Sequence, residues 1–184
     1  MVRPTRLVAA AGVIAAMTLA AASADDSKLK VKEGDAFPDV PLAAAQIEKA
    51  LGKEAKTVSI ADLKGKTVVV FFYPRALTPG CTVESCGFRD LAEKFPKGTV
   101  LLGASNDGEP KQKEFIDKHM LPYALLCDTD NKLINSLGIN GGKAAKRLTF
   151  VVDKDGKIAK IYEKVTPKDH PAEVLKFVEE LSKK

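Results

Sequence analysis

The chain of 184 residues has no tryptophan and only three cysteines, Cys81, Cys86 and Cys127. Three cysteines cannot all pair within one chain, which argues against a framework of structural disulfides and favours one pair with one thiol left over. The sequence also lacks internal repeats, low-complexity segments and a basic stripe interleaved with aromatic residues, so nucleic-acid binding is not expected. The 29 basic and 24 acidic residues are interspersed along a chain that is 45% hydrophobic, as in an ordinary soluble globular protein.

The longest apolar run lies at the N-terminus. Residues 7–22 follow Arg3 and Arg6 and lead to the small residues Ala-Ser-Ala at 22–24. This arrangement is typical of a secretory signal peptide. An uncleaved membrane anchor is the alternative, but a run of 16 residues falls short of the roughly 20 that span a bilayer. We therefore expect residues 1–24 to be removed and the mature protein to be exported, to a periplasmic or extracellular compartment, with no attachment to the membrane.

The remainder of the chain divides into a linker and one domain. Residues 25–33 are polar and charged, and we interpret them as a mobile linker. The domain is expected to extend over residues 34–184, a length that suits one sizeable hydrophobic core.

Alternating strand and helix patterns predict the fold. Continuous apolar runs at residues 67–73, 99–105 and 122–128 are typical of strands buried on both faces of a sheet. Residues 147–153 and 157–162 flank a Lys-Asp-Gly turn and predict a hairpin. The order predicts a thioredoxin-like α/β fold, with a central mixed sheet flanked by helices and an N-terminal extension. The helical patterns lie at residues 81–95, 109–119, 130–137 and 171–182.

The segments ahead of the first long strand are less regular. Pro38 and Pro41 favour an extended conformation around them. Residues 43–55 predict a short helix or a surface excursion, and residues 56–66 predict a strand followed by a turn.

The first long strand is followed by a turn and then by two of the three cysteines. Thr78 suits the N-cap of a helix and Pro79 suits its first position, which places Cys81 in the first helical turn. Free N–H groups and the helix dipole favour a negative charge there, and the thiolate is the reactive form of cysteine. Gly80 leaves the backbone uncrowded for a small substrate. Because ligands bind beyond the carboxyl ends of strands in open α/β sheets, Cys81 is the candidate reactive thiol.

Cys86 follows five residues later on the same predicted helix. An intact α-helix would separate the two Cα atoms by roughly 8.6 Å, whereas a disulfide needs less than about 7 Å. The two thiols can therefore pair only if the first turns of the helix unwind. We hypothesise a cycle in which Cys81 is oxidised in the folded site and Cys86 then attacks it. Peroxide converts a thiolate into the sulfenic acid that such an attack requires.

Other polar residues have a functional and a structural interpretation. Arg147 begins an apolar strand, and from the residues alone it is either a surface charge or a site residue that supports cleavage of an O–O bond. Glu84 is expected to be a surface acid that benefits from the helix dipole, and His170 is expected to lie on the surface at a helix start. Cys127 ends a strand and is expected to be an inert core thiol.

The segment from Pro74 to Cys81 reads Pro-Arg-Ala-Leu-Thr-Pro-Gly-Cys and matches the Pro-x-x-x-Thr-x-x-Cys motif of the peroxiredoxins. The second cysteine and the strand that begins at Arg147 make the chain resemble most closely the bacterioferritin-comigratory-protein or PrxQ branch of that family. The resemblance extends from about residue 34 to the end of the chain. Residues 41–60 depart from it, because they are longer than the usual loop of the family.

This resemblance implies a role for each of five residues. Cys81 would be the peroxidatic nucleophile, Pro74 would shield it from water, and Thr78 would donate or relay a hydrogen bond to the thiolate and the peroxide. Arg147 would stabilise the thiolate and the developing negative oxygen. Cys86 would resolve the sulfenic acid as an intramolecular disulfide.

The resemblance also implies the partners of the protein. The substrates would be hydrogen peroxide and organic hydroperoxides, and a thioredoxin-like dithiol protein would reduce the disulfide. No metal or organic cofactor is implied, and a monomer is expected. The signal peptide is a departure, because it separates the protein from the cytoplasmic thioredoxin system.

Two other functions are compatible with exported paired thiols. An exported thiol-disulfide oxidoreductase is disfavoured because such proteins use Cys-x-x-Cys, whereas four residues stand between Cys81 and Cys86. A copper-binding thioredoxin-fold protein would combine both thiols with His170. An intact helix would direct the two sulfurs apart, however, and copper binding leaves Thr78 and Arg147 without a role.

Overall fold

The computed structural model describes residue 1 and residues 28–183. One sheet of six strands forms its centre, and helices cover both faces. The strands are β1 (Ala43–Ala45), β2 (Thr67–Phe72), β3 (Thr99–Ser105), β4 (Ala124–Cys127), β5 (Leu148–Val152) and β6 (Ile158–Tyr162). The helices are α1 (Ile47–Leu51), α2 (Pro79–Leu91), α3 (Glu109–His119), α4 (Lys132–Leu137) and α5 (His170–Leu181).

The sheet is mixed, with the strand order β1-β4-β3-β2-β5-β6. β2, β3 and β4 run parallel, whereas β1, β5 and β6 each run antiparallel to their neighbours. This arrangement confirms the predicted thioredoxin-like fold with a parallel centre and an antiparallel hairpin. β2 lies between β3 and β5, and all of its residues are buried, as its continuous valine and phenylalanine run predicts.

Alternate side chains of β2 enter two separate cores. Val68 and Val70 contribute to the core beneath α1 and α4. Val69 and Phe71 contribute to the core beneath α2, α3 and α5. The ring of Phe71 stacks on Phe88 of α2 with centroids 4.4 Å apart, and this contact seats α2 directly on the central strand.

An edge strand lies where the sequence predicts a short helix or an excursion. Residues 43–55 contain β1, which pairs with β4, followed by the short helix α1. The three alanines of β1 have little strand propensity of their own. Pairing to a buried neighbour therefore decides their conformation, because propensity for strands depends strongly on context.

The prediction of a strand within residues 56–66 is wrong, whereas the predicted turn in this segment forms. Val58 makes a single bridge to Leu42 and no ladder. The carboxylate of Asp62 accepts the backbone N–H of Ser59 at 2.8 Å, which closes a turn before a second bridge can form.

Part of the predicted linker contacts the domain. The backbone N–H of Lys30 donates to the carbonyl oxygen of Leu137 at 3.0 Å. The carboxylate of Glu33 accepts the backbone N–H of Ile161 at 3.1 Å. These two bonds attach residues 28–33 to the end of α4 and to β6, which the polar composition of the segment does not predict.

The structure contains no candidate membrane span within residues 28–183, where every helix is too short or too polar to cross a bilayer. The predicted signal peptide lies outside the described residues, apart from its first residue. Its cleavage and the export of the protein therefore stay predictions.

Candidate active site

Cys81 lies in the first turn of α2, as its sequence context predicts. Thr78 is extended (φ −86°, ψ 153°) and immediately precedes Pro79, the first residue of the helix. Leu77 has a positive φ of 66°, a conformation that costs a non-glycine residue roughly 1–2 kcal/mol. The chain thus reverses sharply after β2 and brings the N-terminus of α2 back to the end of that strand.

One face of α2 is buried against the sheet. Its buried residues, Cys81, Glu84, Ser85 and Phe88, have the three- and four-residue spacing of a single helical face. Cys81 therefore faces the interior and is almost completely enclosed. Cys86 lies off this face and is partly exposed.

Arg147 contacts the sulfur of Cys81. Leu148, the next residue, pairs with Phe72 at the end of β2, so the start of β5 lies beside the N-terminus of α2. From there the Nη2 atom of Arg147 reaches to 3.2 Å from the Cys81 Sγ atom. Arg147 is therefore a residue of the site and not a surface charge. Its side chain is only 19% exposed.

Glu84 completes this contact and is not a surface acid. Its side chain is fully buried, and its carboxylate forms an ion pair with Nη1 of Arg147. Burial raises the pKa of Glu84 to about 7, although the charge of Arg147 opposes the shift. Burial also opposes the charge on Arg147, but Glu84 and Cys81 outweigh it, so the pKa of Arg147 is raised. The guanidinium is therefore a permanent positive charge between a thiol and a carboxyl group.

His170 is buried as well, contrary to the surface position expected for it. Its Nε2 atom lies 2.7 Å from the hydroxyl oxygen of Thr149 on β5. Burial, together with the nearby charge of Arg147, lowers the pKa of His170 to about 4. The imidazole is therefore neutral near pH 7 and is bonded to the sheet.

Thr78 and Pro74 lie in the turn that leads into α2. The hydroxyl group of Thr78 donates to the carbonyl oxygen of Arg75 at 2.9 Å, within the turn rather than to the helix. Pro74 is partly buried directly after the buried end of the strand. Both residues therefore border the turn that positions Cys81, and their roles toward a peroxide stay predictions.

The carboxylate of Asp107, which its local sequence assigns to a loop before a helix, fixes this turn. The Oδ2 atom of Asp107 accepts the backbone N–H of Ala76 at 2.7 Å and the hydroxyl group of Ser105 at 3.0 Å. Lys111 pairs with the same carboxylate at 3.0 Å. The position of Asp107 just beyond the carboxyl end of β3 is the signal that could have identified it.

The three thiols are free and occupy different environments. Cys81 and Cys86 lie on one continuous helix, α2, which keeps them apart in this state. Cys127 is buried at the end of β4, and burial raises the pKa of its thiol to about 11, as expected of an inert core thiol.

No metal site is evident within the described residues, where no group of three histidine, cysteine, aspartate or glutamate side chains could hold an ion. The copper-binding alternative also requires His170, whose Nε2 atom is engaged with Thr149. The geometry of Cys81 with Arg147 instead suits a small oxidant that gains negative charge as it reacts.

Comparisons with known proteins agree with this geometry. The chain matches the AhpC/TSA family over residues 34–161. It is similar to Peroxiredoxin Bcp of Bacillus subtilis (strain 168), with 38% identity over 165 residues that cover 85% of this chain and 100% of that protein. It is also similar to chloroplastic Peroxiredoxin Q of Gentiana triflora, with 42% identity across 69% of this chain and 61% of that protein. Among solved structures, Peroxidoxin BcpB from Mycobacterium tuberculosis has a TM-score of 0.70 at 31% identity, covering 82% of this chain and 98% of that one.

The buried His170 predicts a loss of stability in acid. Its pKa of about 4 in the folded protein lies below the usual value of about 6.5. Its contribution to stability is therefore complete above pH 6.5 and disappears as the pH falls through 4. Between pH 7 and 4 the wild type should lose about 1–3 kcal/mol more free energy of unfolding than His170→Asn.

Urea denaturation followed by circular dichroism at several pH values measures this difference. Parallel pH dependences for the wild type and His170→Asn would contradict the assignment.

Proposed function

Because the chain belongs to the AhpC/TSA family and is a thiol-dependent peroxidase of the Bcp and PrxQ type, we propose that it reduces hydrogen peroxide and organic hydroperoxides at Cys81. The observation that carries this proposal is the contact of 3.2 Å between Arg147 Nη2 and Cys81 Sγ, at the N-terminus of α2. A cation at a sulfur in the first turn of a helix stabilises negative charge there, and the thiolate is the form of cysteine that attacks a peroxide.

The first step is attack of the Cys81 thiolate on one peroxide oxygen. An S–O bond forms while the O–O bond breaks, which leaves a sulfenic acid on the sulfur. The departing oxygen takes a proton and leaves as water or as an alcohol. Negative charge moves from sulfur to oxygen during this step, and Arg147 is placed to stabilise it at both positions.

Glu84 supports the reaction through Arg147. Its carboxylate holds Nη1, which directs Nη2 of the same guanidinium toward the sulfur. A planar guanidinium held at one nitrogen has a fixed orientation at the other. Glu84 is thus a positioning residue that keeps the positive charge at the reacting atoms.

Thr78 and Pro74 define the access to Cys81 in this proposal. The Thr78 hydroxyl hydrogen is directed to the carbonyl oxygen of Arg75. Its oxygen can therefore accept a hydrogen bond from the O–H group of a peroxide and orient it, whereas the expected donation to the thiolate would require the bond to Arg75 to break. Pro74 lacks an N–H group and presents an apolar ring, which limits the entry of water.

Resolution of the sulfenic acid is assigned to Cys86. The Cys86 sulfur attacks the sulfur of Cys81 and the S–O bond breaks. A Cys81–Cys86 disulfide forms, and the departing hydroxyl group takes the proton of the Cys86 thiol and leaves as water. Because both residues lie on α2, the helix must open before the sulfurs meet. A thioredoxin-like dithiol protein then reduces the disulfide and restores both thiols. No bound cofactor is needed for this cycle, and a monomer carries every residue that it uses.

Substitution of each cysteine should separate these roles. Cys81→Ser should lower hydrogen peroxide consumption in dithiothreitol by more than about 1,000-fold, because the nucleophile is lost. Cys86→Ser should keep the first oxidation but form no internal disulfide, and Cys127→Ala should behave as the wild type. Stopped-flow kinetics followed by mass mapping of the thiols measure all three. Peroxide consumption by Cys81→Ser at the wild-type rate would refute the proposal.

Arg147→Lys should slow the oxidation of Cys81 by about 100-fold, as expected when one preorganised donor to a developing anion is lost. Lysine keeps the charge but cannot reach the sulfur and the Glu84 carboxylate together. Arg89→Lys, in the last turn of the helix that carries Cys81, is the matched control and should have little effect, because Arg89 pairs with Asp90 and not with the Cys81 sulfur. The second-order rate constant for single-turnover oxidation gives the comparison. Equal rates for Arg147→Lys and the control would remove Arg147 from the mechanism.

We also propose that the protein acts outside the cytoplasm after removal of residues 1–24. The N-terminal pattern of two arginines, an apolar run and small residues supports this location. Expression of the full chain in a bacterial host should yield an exported protein whose N-terminus is Asp25, measured by intact mass after fractionation. Retention of an uncleaved chain in the cytoplasm would contradict the location without affecting the chemistry.

A further inference from the structure

The N-terminus of α5 lies against Gly87 and Phe88 of α2, the two residues that follow Cys86. Gly87 directly follows Cys86, and a Cβ atom at Gly87 would lie 2.8 Å from the Cγ atom of Pro171. Backbone and proline ring are therefore in direct contact, and only glycine permits so close an approach. The ring of Phe88 packs edge-on against His170 with centroids 5.9 Å apart.

The first turn of α5 is itself attached to the sheet. The Nε2 atom of His170 lies 2.7 Å from the hydroxyl oxygen of Thr149. Thr149 pairs with Phe71 in the central strand β2, so this attachment point belongs to the most buried part of the fold. α2 is therefore held between β2 on one side and an anchored helix start on the other.

The environment of His170 shows that the attachment is specific. The imidazole is completely buried, and its Nδ1 atom has no hydrogen-bond partner within the described residues. The carboxylate of Glu173 lies 3.8 Å from Nδ1 and is largely exposed. The ring of Tyr162 covers the imidazole from β6 with centroids 5.0 Å apart. Within the described residues, the hydrogen bond to Thr149 is thus the one bond that offsets the cost of burying the polar imidazole.

We propose that His170 and Pro171 form a clamp on α2 that limits how fast Cys86 reaches the oxidised Cys81. Both are positioning residues, since they act through Gly87 and Phe88 and do not touch the reacting sulfurs. The proposal rests on the proposed function, because it concerns the second step of that cycle. Opening of α2 requires the loss of the contacts with Pro171 and with the His170 ring.

The clamp decides between two fates of the sulfenic acid. In one, the Cys86 thiol attacks Cys81, the S–O bond breaks, and a disulfide and water are formed. In the other, a second hydroperoxide oxidises the sulfenic acid to a sulfinic acid and is itself reduced to an alcohol or water. A tighter clamp keeps the sulfenic acid in the site for longer, so the second outcome becomes more frequent as peroxide rises.

Thr149→Val tests the clamp without substituting any residue of α2 or α5. Valine has nearly the shape of threonine but cannot bond to His170, so α5 loses its anchor. The rate of Cys81–Cys86 disulfide formation in a single turnover should rise about fivefold or more, in line with the loss of one buried hydrogen bond. Less sulfinic acid should accumulate at high peroxide. Thr149→Ser keeps the hydroxyl group and should restore the wild-type rate.

Pro171→Ala is a second variant in case Thr149→Val does not fold. Pro110, the second residue of α3, occupies the position that Pro171 occupies in α5, so Pro110→Ala is the matched control. Quenched samples of the dithiothreitol-reduced protein give the disulfide rate by mass spectrometry. The same reaction in a Cys86→Ser background gives the rate of the first oxidation, which should not change. Amide exchange across α2 should be faster in Pro171→Ala than in its control.

The outcomes separate this inference from the proposed function. Unchanged disulfide rates and unchanged exchange in both clamp variants would overturn the clamp. Oxidation of Cys81 with no bond to Cys86 in the wild type would overturn it as well, while the peroxidase reaction at Cys81 stands. A wild-type Cys81 that peroxide does not oxidise would refute the proposed function itself.

Discussion

The placement of one guanidinium between a thiol and a carboxylate is the constraint on which the rest of the site depends. Arg147 is mostly buried, and Glu84 is completely buried. Removing Glu84 would leave the mostly buried guanidinium without its partner, which for a buried pair typically costs about 3–5 kcal/mol. The pair therefore restricts the two elements that carry it, the start of β5 and the first turns of α2, to one relative position. Cys81 acquires its cationic neighbour as a consequence of that restriction.

The fold supplies this arrangement by joining a rigid part to a part that can move. β5 runs antiparallel to β2, so Arg147 lies beside the end of a fully buried central strand. α2 contacts the same strand through Phe88, and Asp107 fixes the turn that leads into it. The cation is thus held by the sheet, whereas the thiol is carried by a helix. A helix can open locally at much lower cost than a central strand, which suits the proposed cycle, in which the thiol meets two different partners.

Local sequence patterns predict the frame of the site and the position of Cys81 within it. The apolar runs predict the central strands, and the Thr-Pro-Gly turn predicts the helix start at Cys81, because these signals arise from neighbouring residues. The burial of Glu84 and His170 has no such signal, since a polar residue on a helix is exposed by default. Their partners, Arg147 and Thr149, are distant in the chain, and only the packed fold brings them together. The edge strand β1 also depends on a partner that is distant in the chain, because its alanines become a strand by pairing with β4.

The role of the Arg147 cation is best tested by the identity of the first sulfur to gain oxygen. The reduced wild-type protein would be treated with less than one equivalent of hydrogen peroxide, and sulfenic acid would be trapped with dimedone and located by mass spectrometry. The label is expected at Cys81, the thiol beside Arg147. A label found first at Cys86 or Cys127 would contradict it, because the buried cation would then have no part in choosing the reactive thiol.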